Sequence, residues 1–220
     1  MSTSEWDGVT QPNTFSAEAN ALRQQLADAA KVYDWKAALS LLVSHPSLIN
    51  TIRPGGQSRY TVLHQAAHGG APTEVVERLV ALGAWRTLRT VQGERAVDIA
   101  QRKGHAQLVP LLNPALKREI APETLQAIQR HFHAVIQGRI AEGNLTVELR
   151  LPELEPLLEL VRPAMWFPVP GMYGGFAHEL SMVSGGPVLI SESWCRVVGG
   201  SGQRHLVSPH GSLMLEEEFV

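Results

Sequence analysis

One ten-residue pattern occurs twice in this chain. Thr61-Val62-Leu63-His64-Gln65-Ala66-Ala67-His68-Gly69-Gly70 is followed, in register at an offset of 34 residues, by Ala96-Val97-Asp98-Ile99-Ala100-Gln101-Arg102-Lys103-Gly104-His105, which begins opposite Val62. Leu63, Ala66 and Gly70 superpose on Val97, Ala100 and Gly104. Self-similarity at this period, with a short helix of small residues, a glycine stop and a second apolar helix, restricts the chain to stacked helix pairs over this stretch. Each pair leaves an apolar face open that only its neighbour can cover.

The clearer copy supplies the local chemistry. Thr61 is placed to cap a helix. Ala66 and Ala67 let adjacent helices approach, and Gly69 and Gly70 allow a tight turn. Pro72 suits the first turn of the next helix. Val75, Val76, Leu79, Val80 and Leu82 form its apolar stripe, and Gly83 stops it. The second copy runs from Gly93 to Leu112, and Pro110 inside its last helix predicts a short or bent element. Upstream, Ser16 begins a helix with the stripe Ala19, Leu22, Leu26, Ala29 and Ala30. A second short helix, Asp34 to Leu42, completes a degenerate first unit that ends at Pro46.

The pattern resembles the ankyrin repeat, whose signature is Thr-Pro-Leu-His-x-Ala, over roughly residues 26–113. Arg95 and Ala96 depart from the Thr and Pro of that signature. The resemblance implies an array that binds other proteins through its inter-unit loops and the exposed side of its first helices, with His64 and His105 hydrogen-bonded structurally. The loops Ile52 to Tyr60 and Trp85 to Arg95 then give the candidate contact residues Arg53, Arg59, Tyr60, Trp85, Arg86, Arg89 and Arg95. Arginine and aromatic side chains are enriched at interface hot spots, and Arg forks onto carboxylates. An acidic protein surface is the expected partner, and the Arg86 and Arg89 pair is the natural place for a charge reversal that spares the fold.

Two and a half repeats bury little surface, so the helix Pro122 to Ala141, with Leu125, Ile128, Phe132, Val135, Ile136 and Ile140 on one face, is expected to cap the array as one continuous body. From Met165 the composition changes to Gly, Pro and β-formers. Five strands are expected over 165–169, 176–182, 188–198, 203–207 and 213–219. A strand over Leu145–Leu151 and a short helix over Pro152–Val161 precede them. The segment Trp166 to Phe176 resembles the tail of other bacterial ankyrin-repeat proteins and implies no activity. The expected fold is therefore α+β: a mobile arm over 1–14, repeats over 15–115, a capping helix over 116–142 and an antiparallel β meander over 143–220.

Composition limits the function classes. Apolar residues make up 44%, enough for a core. The net charge of −2 argues against a general nucleic-acid binder. No apolar run reaches membrane-spanning length, and the first residues lack a signal-peptide pattern. A single Cys excludes an internal disulfide and suits a cytoplasmic setting. The charge is asymmetric: residues 51–105 carry eight Lys/Arg and four Asp/Glu, whereas 141–220 carry four and ten.

Chemistry has few candidates. His131 and His133 stand two apart on a helix and diverge, so they do not chelate, and no cofactor or metal is expected. The glycine run 199–202 lacks the helix and Lys of a phosphate loop and reads as a turn. If that hairpin pivots about Gly200, Cys195 stands opposite His205. A thiolate–imidazolium pair near Glu192 and Arg196 is then the enzyme alternative. Glu216, Glu217 and Glu218 read as protection of an edge strand. The expected function is a non-catalytic, cytoplasmic protein-binding module, in its most specific form an immunity protein that neutralises a cognate bacterial toxin.

Overall fold

A computed structural model describes residues 4–14, 16–142, 148–196 and 200–218. The chain divides into two compact units, Val9–Ala115 and Met1–Gly8 with Leu116–Val220.

The first unit holds α1 (Ala17–Lys31), α2 (Trp35–Ser44), α3 (Val62–Gly69), α4 (Thr73–Ala81), α5 (Ala96–Lys103) and α6 (Val109–Leu112). Each start follows from its cap. Ser16 Oγ accepts from the Ala19 N–H at 3.2 Å, and Asp34 Oδ1 accepts from the Ala37 N–H at 3.0 Å. At α3 the Thr61 N–H donates to His64 Nδ1 at 3.2 Å, which leaves the proton on Nε2, 3.1 Å from the Leu88 carbonyl. His64 therefore ties its own helix start to the next loop. At α5, Asp98 does the capping, accepting from the Arg95 N–H at 2.8 Å. Both first helices end on a left-handed glycine, Gly70 (φ 62°) and Gly104 (φ 79°), 34 residues apart. Proline at 110 leaves α6 four residues long, after a 3₁₀ turn over Ala106–Leu108.

The helices stack as α1, α3 and α5 in one row, each packed on its own partner, α2, α4 or α6. Leu26, Leu42, Leu63, Leu79, Ile99 and Leu112 join in one apolar cluster. Each such leucine contributes about 2 kcal/mol by leaving water. Asn50 locks successive units at the loop after α4: its amide donates to the Gly83 carbonyl at 3.0 Å and its Oδ1 accepts from the Trp85 N–H at 2.9 Å.

The second unit is a six-stranded sheet in chain order: β1 (Ser4–Glu5), β2 (Ala164–Val169), β3 (Gly174–Val183), β4 (Gly186–Cys195), β5 (Ser201–Ser208) and β6 (Gly211–Glu218). The β1–β2 pair is parallel and the others antiparallel. The five expected strands are present over their described residues; residues 197, 198 and 219 lie outside these. Gly174 and Gly175 permit the close β2–β3–β4 crossing, since a Cβ would lie 1.9 Å from the Trp194 carbonyl oxygen at Gly174 and 2.1 Å from that of Phe167 at Gly175. The edge strand β6 carries a bulge near Arg204 and His205 and an Arg204–Glu216 ion pair at 3.2 Å.

Four expectations are corrected here. The arm over 1–14 is built into the fold where it is described: β1 pairs with Met165 and Trp166, and buried Trp6 donates through Nε1 to the Arg150 carbonyl at 2.8 Å, under the Arg150 guanidinium. The helix expected to cap the repeats, α7 (Pro122–Glu142), belongs to the sheet unit and packs on β4, β5 and β6. Its stripe buries Leu125, Ile128, Phe132 and Ile136, together with Arg139, which donates to the Ser201 carbonyl at 2.9 Å. Of the strand expected over 145–151, residues 145–147 lie outside the described residues and Leu149 makes only an isolated bridge. The helix expected over 152–161 is a 3₁₀ turn, Glu155–Leu158.

Candidate protein-binding face

The β domain first removes its own candidate site. Strands β4 and β5 pair with Cys195 opposite Ser201 and His205 opposite Ser191. The pivot lies two residues earlier than Gly200, so Cys195 and His205 are four residues apart along the strand, about 13 Å. The dyad is not formed. Gly199, part of the expected turn, lies outside the described residues. Glu192 is held by Arg204 at 2.7 Å. Among the described residues no group of three or more His, Cys, Asp or Glu side chains could hold a metal ion. His133 gives its ring Nε2 to the Pro152 carbonyl at 2.8 Å.

The repeat unit offers a different surface. The Val91 N–H donates to the Ser58 carbonyl at 3.1 Å, which joins the tips of the two loops. Beside them run the outward sides of α1, α3 and α5. Tyr33 follows the end of α1, His68 lies in the last turn of α3, and Arg102 and Lys103 lie in the last turn of α5. Tyr33 Oη lies 2.9 Å from His68 Nδ1, and Tyr60 meets the His68 ring edge-on at 6.2 Å. Arg102 reaches Tyr60 and grips Glu94 in a two-pronged pair at 2.7 and 2.9 Å. A line of side chains, Tyr33, His68, Tyr60, Arg102 and Glu94, thus crosses three helix pairs.

Within this line Arg102 is balanced by Glu94, and Lys103 adds a positive charge beside His68. Partial burial, then Lys103, Arg102 and His105, holds the His68 imidazole below its ordinary pKa. The hydrogen bond from Arg102 lowers the Glu94 carboxyl. Val91, 58% exposed, gives the loop tip an apolar point.

The seven residues expected at this face divide. Arg59 is exposed with φ 56°, a left-handed conformation unusual for a side-chain-bearing residue, and Tyr60 is half-buried on the line just described. Arg53 is paired at the surface with Asp28 and donates to Gln24 Oε1 at 2.9 Å. Trp85 is buried, at 7% exposure, and serves the core rather than a contact surface. Arg86 donates to the Leu111 carbonyl at 3.3 Å and Arg89 to the Gly93 carbonyl at 2.8 Å. Reversing those two charges would therefore also remove these two hydrogen bonds. Arg95 sits at the α5 cap through its backbone N–H. Sequence reasoning missed Tyr33, His68, Arg102 and Lys103; the available signal was that His68, Arg102 and Lys103 fall in the last turns of successive first helices.

No protein-family profile matches the chain, and no curated protein does. Among solved structures, one similar chain comes from the complex described as "Bd0816 Predatory Endopeptidase from Bdellovibrio bacteriovorus in complex with immunity protein Bd3460". It is 28% identical, with a TM-score of 0.33, over 40% of this chain and 42% of that one. The match thus spans about two fifths of each chain, and a likeness this small transfers neither fold nor function. Among the described residues no helix is long and apolar enough to cross a membrane.

Proposed function

We propose that the repeat unit is an ankyrin-type array and that the protein is a non-catalytic protein–protein interaction module. One observation carries the reading: aromatic, imidazole and cationic side chains from three successive helix pairs meet in one continuous line beside hydrogen-bonded loop tips. Such a mixture suits a protein surface, where aromatic and Arg side chains dominate binding energy. The neighbouring Arg59 and Lys103 favour an acidic partner. In the finer form of this reading the partner is a bacterial toxin, which the chain neutralises in the cytoplasm as an immunity protein.

Capture by the immobilised full chain from its native host tests this. Wild type is expected to retain one protein in equimolar amount, and Val91→Asp with Arg102→Ala to lose at least about tenfold in affinity with unchanged melting. Both changes are at solvent-facing positions, where an ion pair contributes about 0–1 kcal/mol to stability. Equal capture by wild type and variant would remove this face. The immunity role requires further that the captured protein be toxic when expressed alone and harmless with this chain; a harmless protein leaves only the binding module.

A further inference from the structure

We infer that the cleft between α1 and the 51–61 loop receives carboxylate side chains from an extended acidic segment of the partner. This rests on the binding-face reading above and names the chemistry of one part of it. The cleft, about 190 Å³, is lined by Arg23, Lys31, Arg53 and Arg59, and by no Asp or Glu among the described residues, although Arg53 is paired with Asp28 beside it. Its floor is apolar, with Leu26, Ile52 and Val62 each 3% exposed. A cationic rim over an apolar floor matches a glutamate, whose methylenes contact the floor while its carboxylate meets the rim.

The rim is preorganised. Asp28 and Gln24 fix the Arg53 guanidinium, and Gln24 in turn donates to the Pro54 carbonyl at 3.0 Å. Arg59 is held at φ 56° by its neighbours: the Ser58 carbonyl accepts from Val91, and Ser58 Oγ accepts from the Tyr60 N–H at 3.4 Å. Backbone strain of this kind persists where surrounding structure enforces it and is concentrated at binding sites. Ordering costs already met in the free protein do not weaken binding. A naked phosphate would use the rim and leave the floor unmatched, which favours a side chain over a free anion.

Fluorescence anisotropy with fluorescein-labelled hexaglutamate, measured on the full chain at low salt, tests the inference. Saturable binding is expected, at least about tenfold tighter than to hexaglutamine. Arg59→Glu with Lys31→Glu should weaken it by a similar factor, whereas Arg78→Glu on α4 should leave it unchanged. Absence of saturable binding, or an equal loss in Arg78→Glu, overturns the inference. Displacement of the peptide by equimolar inorganic phosphate or glutarate assigns the cleft to free anions and overturns the peptide occupant. If hexaglutamate fails while partner capture still depends on Val91 and Arg102, the cleft assignment falls alone. If capture ignores the face altogether, the binding-face reading falls with its own test.

Discussion

Phe132→Ala is expected to lower the stability of the sheet unit by about 3–5 kcal/mol, the usual cost of removing a buried aromatic ring. Phe132 is fully buried at the centre of α7. Its ring meets Phe176 edge-on at 6.4 Å and His178 at 4.9 Å, both on β3. Phe176, Met165 and Leu180 are buried on the same face of the sheet, so the hole would open inside a packed apolar layer. Chemical denaturation would give the magnitude and hydrogen exchange the place. Protection should fall in α7, β3 and β4 and stay unchanged in α3 and α5. Loss in the repeats instead would mean that α7 caps them, as its sequence alone suggested.

The second large effect is acid sensitivity centred on His178. This imidazole is 2% exposed, and burial drives its pKa from 6.5 down to about 4, only partly offset by the Phe176 carbonyl. It is opposite Met165 on β2 and Ser191 on β4, with Phe132 against its ring; no charged group contributes to the shift. The folded value lies below the unfolded one, so the unfolded chain binds the proton first as pH falls. Stability is therefore undiminished above about pH 7, declines through the window from 6.5 to 4, and is constant with respect to this group below 4. The loss amounts to roughly 3 kcal/mol. His133, His205 and His68 are also depressed, each chiefly by burial, and act with the same sign. His178→Leu should flatten the decline and leave stability at neutral pH equal or higher, since neither ring nitrogen makes a hydrogen bond of ordinary geometry. A decline of the same size in His178→Leu would assign the acid sensitivity elsewhere.

How far the sequence could be read depended on the range of each interaction. Caps and stops are local. Ser16, Asp34, Thr61, Gly70 and Gly104 stand where their side chains and φ angles demand, so the helix pairs were legible. Strands β2 to β6 were legible from composition and turn spacing for the same reason, whereas β1 was not, because it pairs with distant Met165 and Trp166. Register was not: moving the β4–β5 pivot by two residues separated Cys195 from His205, and the residues at that turn give no sign of the shift. The stripe on α7 showed that a face is buried but not what buries it. Arginine was the least readable type. Arg86, Arg89, Arg53 and Arg139 point their guanidinium groups at carbonyls or carboxylates of their own unit, and only distances can tell such a residue from one that meets solvent.

The measurement closest to the central claim is a calorimetric titration of the purified captured partner into wild type and into Val91→Asp/Arg102→Ala. A one-to-one complex that weakens by at least about 1.4 kcal/mol in the variant, at unchanged melting temperature, is the expected result. Identical affinity for the two proteins would show that the Tyr33–His68–Tyr60–Arg102 line is not where the partner binds.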